Sequence, residues 1–175
     1  MEYKKLVSFD FDRTLCNTPL PENGKITWKE KTGKDWPYVG WWGRPESIDL
    51  EVFDIHVNTW VYEKYLESTS YPNAYVILAT GRLAKVPKML ESIEKILNRN
   101  NLSFDEIHLN WGGDTFHFKK TLFERLISKF QPEEFIMYDD RELHLIEFKE
   151  WAKTMSCDVT IIDVINMTTT KIKNI

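Results

Sequence analysis

Three hydrophobic runs far apart in the chain end on polar residues: Val7-Ser8-Phe9-Asp10-Phe11-Asp12, Tyr75-Val76-Ile77-Leu78-Ala79-Thr80-Gly81-Arg82 and Phe135-Ile136-Met137-Tyr138-Asp139-Asp140-Arg141. Runs this apolar suit strands buried on both faces, as in parallel sheets covered by helices. Strands laid side by side in such a sheet bring their C-terminal ends together, and open α/β sheets bind ligands in the crevice there. The pattern predicts that Asp10, Asp12, Asp139, Asp140, Thr80, Gly81 and arginines meet at one sheet edge.

Four clustered carboxylates need compensation. Two like charges about 4 Å apart repel by roughly 4 kcal/mol at an effective dielectric near 20, a large share of a domain's stability. Carboxylate oxygens without a thiolate or imidazole set favour a hard cation, and a site left open to water and phosphate suits Mg²⁺. Asp10, Asp12, Asp140 and Asp139 are the candidate metal-binding residues. Asp10 and Asp12 are also the candidate catalytic pair. Spaced by two, they point to one side of a continuing strand, with Phe9 and Phe11 buried opposite. An ionised aspartate can attack phosphorus to give an aspartyl-phosphate, while its neighbour protonates the leaving alcohol and then deprotonates water.

These residues resemble the motifs of the haloacid dehalogenase (HAD) superfamily of phosphohydrolases. Asp10, Asp12 and Thr14 match its Asp-x-Asp-x-Thr motif, Thr80 the hydroxyl that ends the next core strand, Lys119 the lysine near a helix start, and Asp139-Asp140 the acidic pair. Thr18-Pro19-x-Pro21, Gly40-Trp41-Trp42-x-x-Pro45, Thr80-Gly81-Arg82, Leu102-x-Phe104-Asp105, Thr115-x-x-Phe118-Lys119 and Asp139-Asp140-Arg141-x-x-His144 are together similar to its Swiss Army Knife RNA repair-like family. The likeness runs from about residue 6 to about residue 152. It implies Glu-Asp-Arg where this chain has Asp139-Asp140-Arg141, which points to Asp140 ahead of Asp139 as metal ligand. It also implies that the Asp12 backbone carbonyl binds the metal, that the sheet order is 5-4-1-2-3, and that the substrate is a phosphomonoester on a nucleotide or on an RNA or DNA end. A small-metabolite phosphatase and a non-catalytic RNA- or protein-binding module on the same fold stay open as alternatives.

Alternating periodicities predict an α/β fold. It is expected to be a HAD-like Rossmannoid three-layer sandwich with a five-stranded parallel sheet, its strands near 5–10, 75–79, 107–110, 135–138 and 158–164. Helices are expected over 48–68, 85–98, 115–129 and 142–155. The prolines and glycines of residues 16–47 leave room there for a short regular element at best. With 175 residues and 42% hydrophobic content, the chain reads as a single domain over 1–175, carrying a tryptophan-rich insert near 16–50. Trp41 and Trp42 of that insert are the candidate substrate or cap residues, placed either to stack bases or to fold the insert over the core.

Among the phosphate-binding candidates, Lys119 opposes its own helix dipole and would neutralise the acids and the transferred phosphoryl. Thr80 offers a hydroxyl, and Gly81 a close backbone approach at the start of the next helix. Arg82 suits either a bidentate phosphate contact or a nearby acid. His144 either orients a carboxylate or stays neutral in the packing. A net charge of −4 excludes a protein that coats nucleic acid but leaves recognition of one phosphorylated end. No apolar stretch approaches the roughly 20 residues that span a membrane. The two cysteines lack metal-ligand spacing and read as reduced, packed thiols. A cytoplasmic monomer or weak dimer is expected.

Overall fold

The computed structural model describes residues 2–174, so Met1 and Ile175, the ends of the expected domain, lie outside the described residues. Strands β1 (Lys5–Phe9), β2 (Ala74–Leu83), β3 (Glu106–Asn110), β4 (Glu134–Asp139), β5 (Asp158–Asp163) and β6 (Thr168–Ile172) form one sheet in the order β3-β2-β1-β4-β5-β6. The first five are parallel in the expected order, and β6 adds an antiparallel edge beside β5. The sheet therefore has six strands rather than five. Exposed Thr168, Thr169 and Lys171 with half-buried Thr170 and Ile172 are the half-solvated pattern of an antiparallel edge, unlike the continuous apolar runs of the inner strands.

Period-two alternation sends Val7 and Phe9 to one face of the sheet and Leu6 to the other, where two separate cores form. Helices α2 (Thr59–Ser70) and α3 (Met89–Arg99) pack Val61, Tyr65, Ile93 and Ile96 against the first face. Helices α4 (Thr115–Phe130) and α5 (Glu142–Ala152) pack Phe123, Leu126, Phe148 and Trp151 against the second. Asn58 caps α2 by accepting from Val61 N–H, and Asp114 caps α4 by accepting from His117 N–H at 2.8 Å.

Two expectations need correction. The insert holds a full 12-residue helix, α1 (Pro21–Thr32), opened by Pro21 and closed by Gly33 in the left-handed conformation. Its one buried residue is Gly24, so it shows no apolar stripe for a sequence pattern to detect. The helix expected over 48–68 begins only at Thr59. Pro45–Ile48 is a short 3-10 turn, and the stretch after it buries Phe53 and Ile55 as irregular chain. Val52 and Ile55, three apart, imitate a helix because both anchor a loop to the same core. Among the described residues no helix is long and apolar enough to cross a membrane.

Candidate active site

Strand β1 ends at Phe9, and the chain then folds into a tight loop. Asp10 N–H donates to Tyr138 O at 3.0 Å, Leu15 N–H returns to Asp10 O at 3.2 Å, and Arg13 takes a left-handed φ of 57°. Asp10 and Asp12 thus stand on a turn rather than on one face of a continuing strand. Phe9 and Phe11 are both buried in one core. The tops of β1, β2 and β4 and the first turns of α4 and α5 enclose a crevice of about 400 Å³. Asp10, Asp12, Asp139, Asp140, Gly81, Arg82, Lys119 and Trp42 line it, together with Arg13, Thr115, Arg141 and His144.

At its floor the Lys119 ammonium donates to Asp10 Oδ1 and to Asp139 Oδ2, each at 2.7 Å, and all three side chains are buried. Burial alone would lower the lysine's pKa, but the two carboxylates reverse this and hold it above its ordinary value. The same burial pushes Asp10 up to about 8; Lys119 opposes the shift, while Asp139, Asp140 and Asp12 add to it. Asp140 is raised to about 6, first by burial and then by Asp139, against the pull of Arg13 at 3.5 Å. Asp10 and Asp139 thus share one ammonium between two carboxylates. Asp139 also accepts from Arg141 N–H at 2.9 Å, which leaves Asp140 the less engaged of the acidic pair.

Arg82 is committed elsewhere. Only 1% exposed, its guanidinium grips the Asp12 carboxylate through Nε at 2.9 Å and Nη2 at 2.8 Å. Its Nη1 donates to Trp42 O at 3.2 Å and to Ser47 Oγ at 3.0 Å. The arginine therefore takes the acid partner rather than a free position for phosphate, and it ties Asp12 to the insert. Thr18, which no chemical reading singled out, donates its hydroxyl to Asp12 Oδ1 at 2.8 Å. The Thr-Pro pair after the first motif was the available signal.

Thr80 is fully buried, and its hydroxyl accepts from Arg82 N–H at 3.2 Å; it lies beneath the crevice lining rather than on it. Gly81 lies within β2, not at a helix start as expected, because the strand continues through a register shift to Leu83. Its missing side chain still matters. A Cβ there would sit 2.9 Å from Thr115 Oγ1, so glycine is what lets β2 and the start of α4 close together.

Trp41 and Trp42 part company. Trp41 is 3% exposed and donates its indole N–H to Pro19 O at 2.9 Å, with Trp36 and Phe53 against its ring. It holds the insert together and presents no stacking surface. Trp42 is 38% exposed, lies over the Arg82 guanidinium at 5.8 Å and faces the crevice. His144 is buried beside Phe116 and Phe148, and burial lowers its pKa; its Nδ1 has no partner among the described residues. Cys16 and Cys157 are buried free thiols.

A family model described as HAD domain family 1 in Swiss Army Knife RNA repair proteins matches residues 30–174. The chain belongs to this family. Its match begins beyond Asp10 and Asp12, and it includes Thr80, Lys119, Asp139 and Asp140. Among solved structures, the Pnkp1/Rnl/Hen1 complex contains a chain 21% identical with a TM-score of 0.57; the overlap covers 93% of this chain and 45% of that one. A further structure of that RNA repair complex gives 20% identity and a TM-score of 0.55, covering 92% and 43%. A predicted phosphoglycolate phosphatase from Haemophilus somnus is 12% identical with a TM-score of 0.53, covering 93% of this chain and 85% of its own. The HAD chain therefore spans less than half the length of the RNA repair chains whose fold it shares. No curated protein matches it.

Proposed function

We propose that this HAD chain is a phosphomonoester hydrolase that works through an aspartyl-phosphate on Asp10, with a nucleotide or nucleic-acid end as the favoured phosphate carrier. The observation that carries the reading is the Lys119 ammonium held 2.7 Å from both Asp10 and Asp139 in a crevice built from three strand ends. A lysine so placed keeps the nucleophile's carboxylate oriented and faces the oxygens of an incoming phosphoryl group.

In the first half-reaction an Asp10 oxygen bonds to phosphorus as the bond to the leaving oxygen breaks, and Asp12 supplies the proton that oxygen takes up. In the second, Asp12 takes a proton from water, whose oxygen displaces Asp10 and releases inorganic phosphate. Arg82 and Thr18 hold the Asp12 carboxylate in place for both steps. Lys119 and Gly81 of the crevice lining bind the phosphoryl, with Thr80 supporting the backbone from beneath. The residues 16–50 act as a small cap, with Trp42 as its crevice-facing side chain.

Magnesium fits the donor chemistry. The acids offer only hard oxygens, and Asp10 and Asp140 are held above the usual carboxylate range by burial and mutual repulsion, which a divalent cation would relieve. Among the described residues no group of three such side chains is already set to hold a metal; Lys119 pairs with Asp10 and Asp139, and Arg13 with Asp140. Asp10, Asp140 and the Asp12 carbonyl would hold the ion, with Asp139 beside them, and the ion would neutralise the transferred group's charge.

The test is release of inorganic phosphate from an aryl phosphate, sugar phosphates, mononucleotides and end-phosphorylated oligonucleotides, with and without Mg²⁺. Turnover by the wild type and none by Asp10→Asn is expected. Absence of turnover on every substrate would overturn the proposal and favour a binding module.

A further inference from the structure

Beyond the crevice, along the outer side of α4, lies a second groove of about 290 Å³. Its walls carry Trp111, His117, Arg125, His108 and Thr121. Trp111 is 82% exposed, the most open large aromatic among the exposed apolar side chains. The turn that carries it is defined: the buried Asn110 accepts from Gly112 N–H at 2.9 Å and donates to Gly113 O at 3.2 Å. Gly112 and Gly113 supply the positive φ values, 135° and 84°, that this turn requires. The indole stands at the end of β3, on the wall of the groove, with its surface given to solvent. At a groove's edge an exposed indole offers a large π face to a ligand.

The groove's charge indicates its ligand. On a chain with net charge −4, the lining holds no carboxylate, whereas Arg125 and two histidines face it. Arg125 makes no ion pair among the described residues. Lys85 adds a further ammonium at the rim, its Nζ 3.9 Å from where a side chain on Gly112 would begin. Of the histidines, His108 is engaged with Glu106 at 2.7 Å and burial lowers its pKa, so the arginine and lysine are the permanent cations at the groove. An exposed aromatic platform with cations beside it is how bases and backbone of single strands are held together.

The two cavities share no lining residue, but one short turn connects their walls. The turn 111–114 leads directly into Thr115, whose side chain meets Gly81 in the crevice lining. Thr115 and Lys119 face the crevice from α4, while His117, Thr121 and Arg125 lie on a different face of the same helix, so a strand reaching both passes over the turn 111–114 at its N-terminus. From Thr115 to Arg125 the helix rises about 15 Å, more than the length of a single small phosphate ester.

We infer that this groove binds the nucleobase and adjoining backbone of a single-stranded nucleic acid whose terminal phosphate lies in the crevice beside Asp10 and Lys119, an extension that rests on the phosphohydrolase reading above. Trp111 stacks on a base, and Arg125 and Lys85 meet the next phosphate.

The experiment compares wild type, Trp111→Ala, Trp111→Phe and Arg125→Gln, in Mg²⁺, on an end-phosphorylated oligonucleotide and on an aryl phosphate. The ratio of kcat/KM for the oligonucleotide to that for the aryl phosphate falls about tenfold in Trp111→Ala through KM, and Trp111→Phe restores most of it. Arg125→Gln flattens the salt dependence of oligonucleotide turnover. An unmoved ratio in Trp111→Ala overturns the inference and assigns the indole to a different contact, such as a protein partner. Should the wild type turn over neither substrate, the hydrolase reading fails by itself. The groove is then judged by the affinity of the full chain for a labelled oligonucleotide: weakening by Trp111→Ala supports it, and equal affinity overturns it.

Discussion

At the crevice floor, Lys119 lies 2.7 Å from both Asp10 and Asp139, and Asp140 stands beside them with its pKa raised to about 6. In the insert above, Trp41 closes over Gly24 so tightly that a Cβ there would meet the indole ring, with Trp36 and Phe53 completing the cluster. The floor concentrates charge in low dielectric, which costs stability and creates reactivity. The insert concentrates apolar contact, which stabilises and shapes without reacting. Arg82 joins them, since one guanidinium grips Asp12 below and Trp42 O and Ser47 Oγ above. A site of this kind separates chemistry from framework, and substitutions in the two regions should fail in different ways.

The sharpest break is Asp10→Asn, which removes the nucleophile and should lower phosphate release by about a thousandfold or more. Because one crowded charge leaves the floor, its denaturation midpoint without metal should not fall; a large drop would mean that the acid cluster is framework after all. Trp41→Ala should do the reverse, losing about 3–5 kcal/mol of stability by urea titration as the insert loses its anchor. Stability equal to wild type would show that the insert does not depend on this packing. Arg82→Lys keeps a positive charge but loses the fork that reaches Asp12 and the insert together. A kcat reduction of about ten- to a hundredfold with little change in KM is expected from steady-state rates, and a change confined to KM would instead favour a direct phosphate contact. Trp42→Ala, at the half-open edge of the crevice, should cost less than about 1 kcal/mol in stability. Its effect should appear in KM, and a stability loss matching that of Trp41→Ala would erase the distinction between the two tryptophans.

Reading the chain locally worked best where burial acts on consecutive residues. The parallel strands were readable because a strand covered on both faces must be apolar along its length, and the acids stood out as the first polar residues after such runs. Helix α1 is not readable, since it packs through Gly24, a residue that carries no hydropathy, and the single half-buried Trp28 rather than through an apolar stripe. Irregular residues 49–58 read as helix because Val52, Ile55 and Val57 serve the core from a loop at helix-like spacing. Edge strand β6 escaped notice because half of it faces solvent.

For the site the division is similar. Residue type and order alone indicated that Asp10, Asp12, Asp139 and Asp140 belong together, because ionisable groups placed at the ends of buried strands have few other reasons to be there; Lys119, inside a helix, stood out by its match to the family motif. What each group touches came from the folded chain. Arg82 reached Asp12 from 70 residues away, Trp41 turned inward while Trp42 faced the crevice, and Trp111 was left in solvent on a glycine turn. Such outcomes depend on distances between segments that are remote along the chain, and a residue's local pattern carries no record of the partner that folding brings to it.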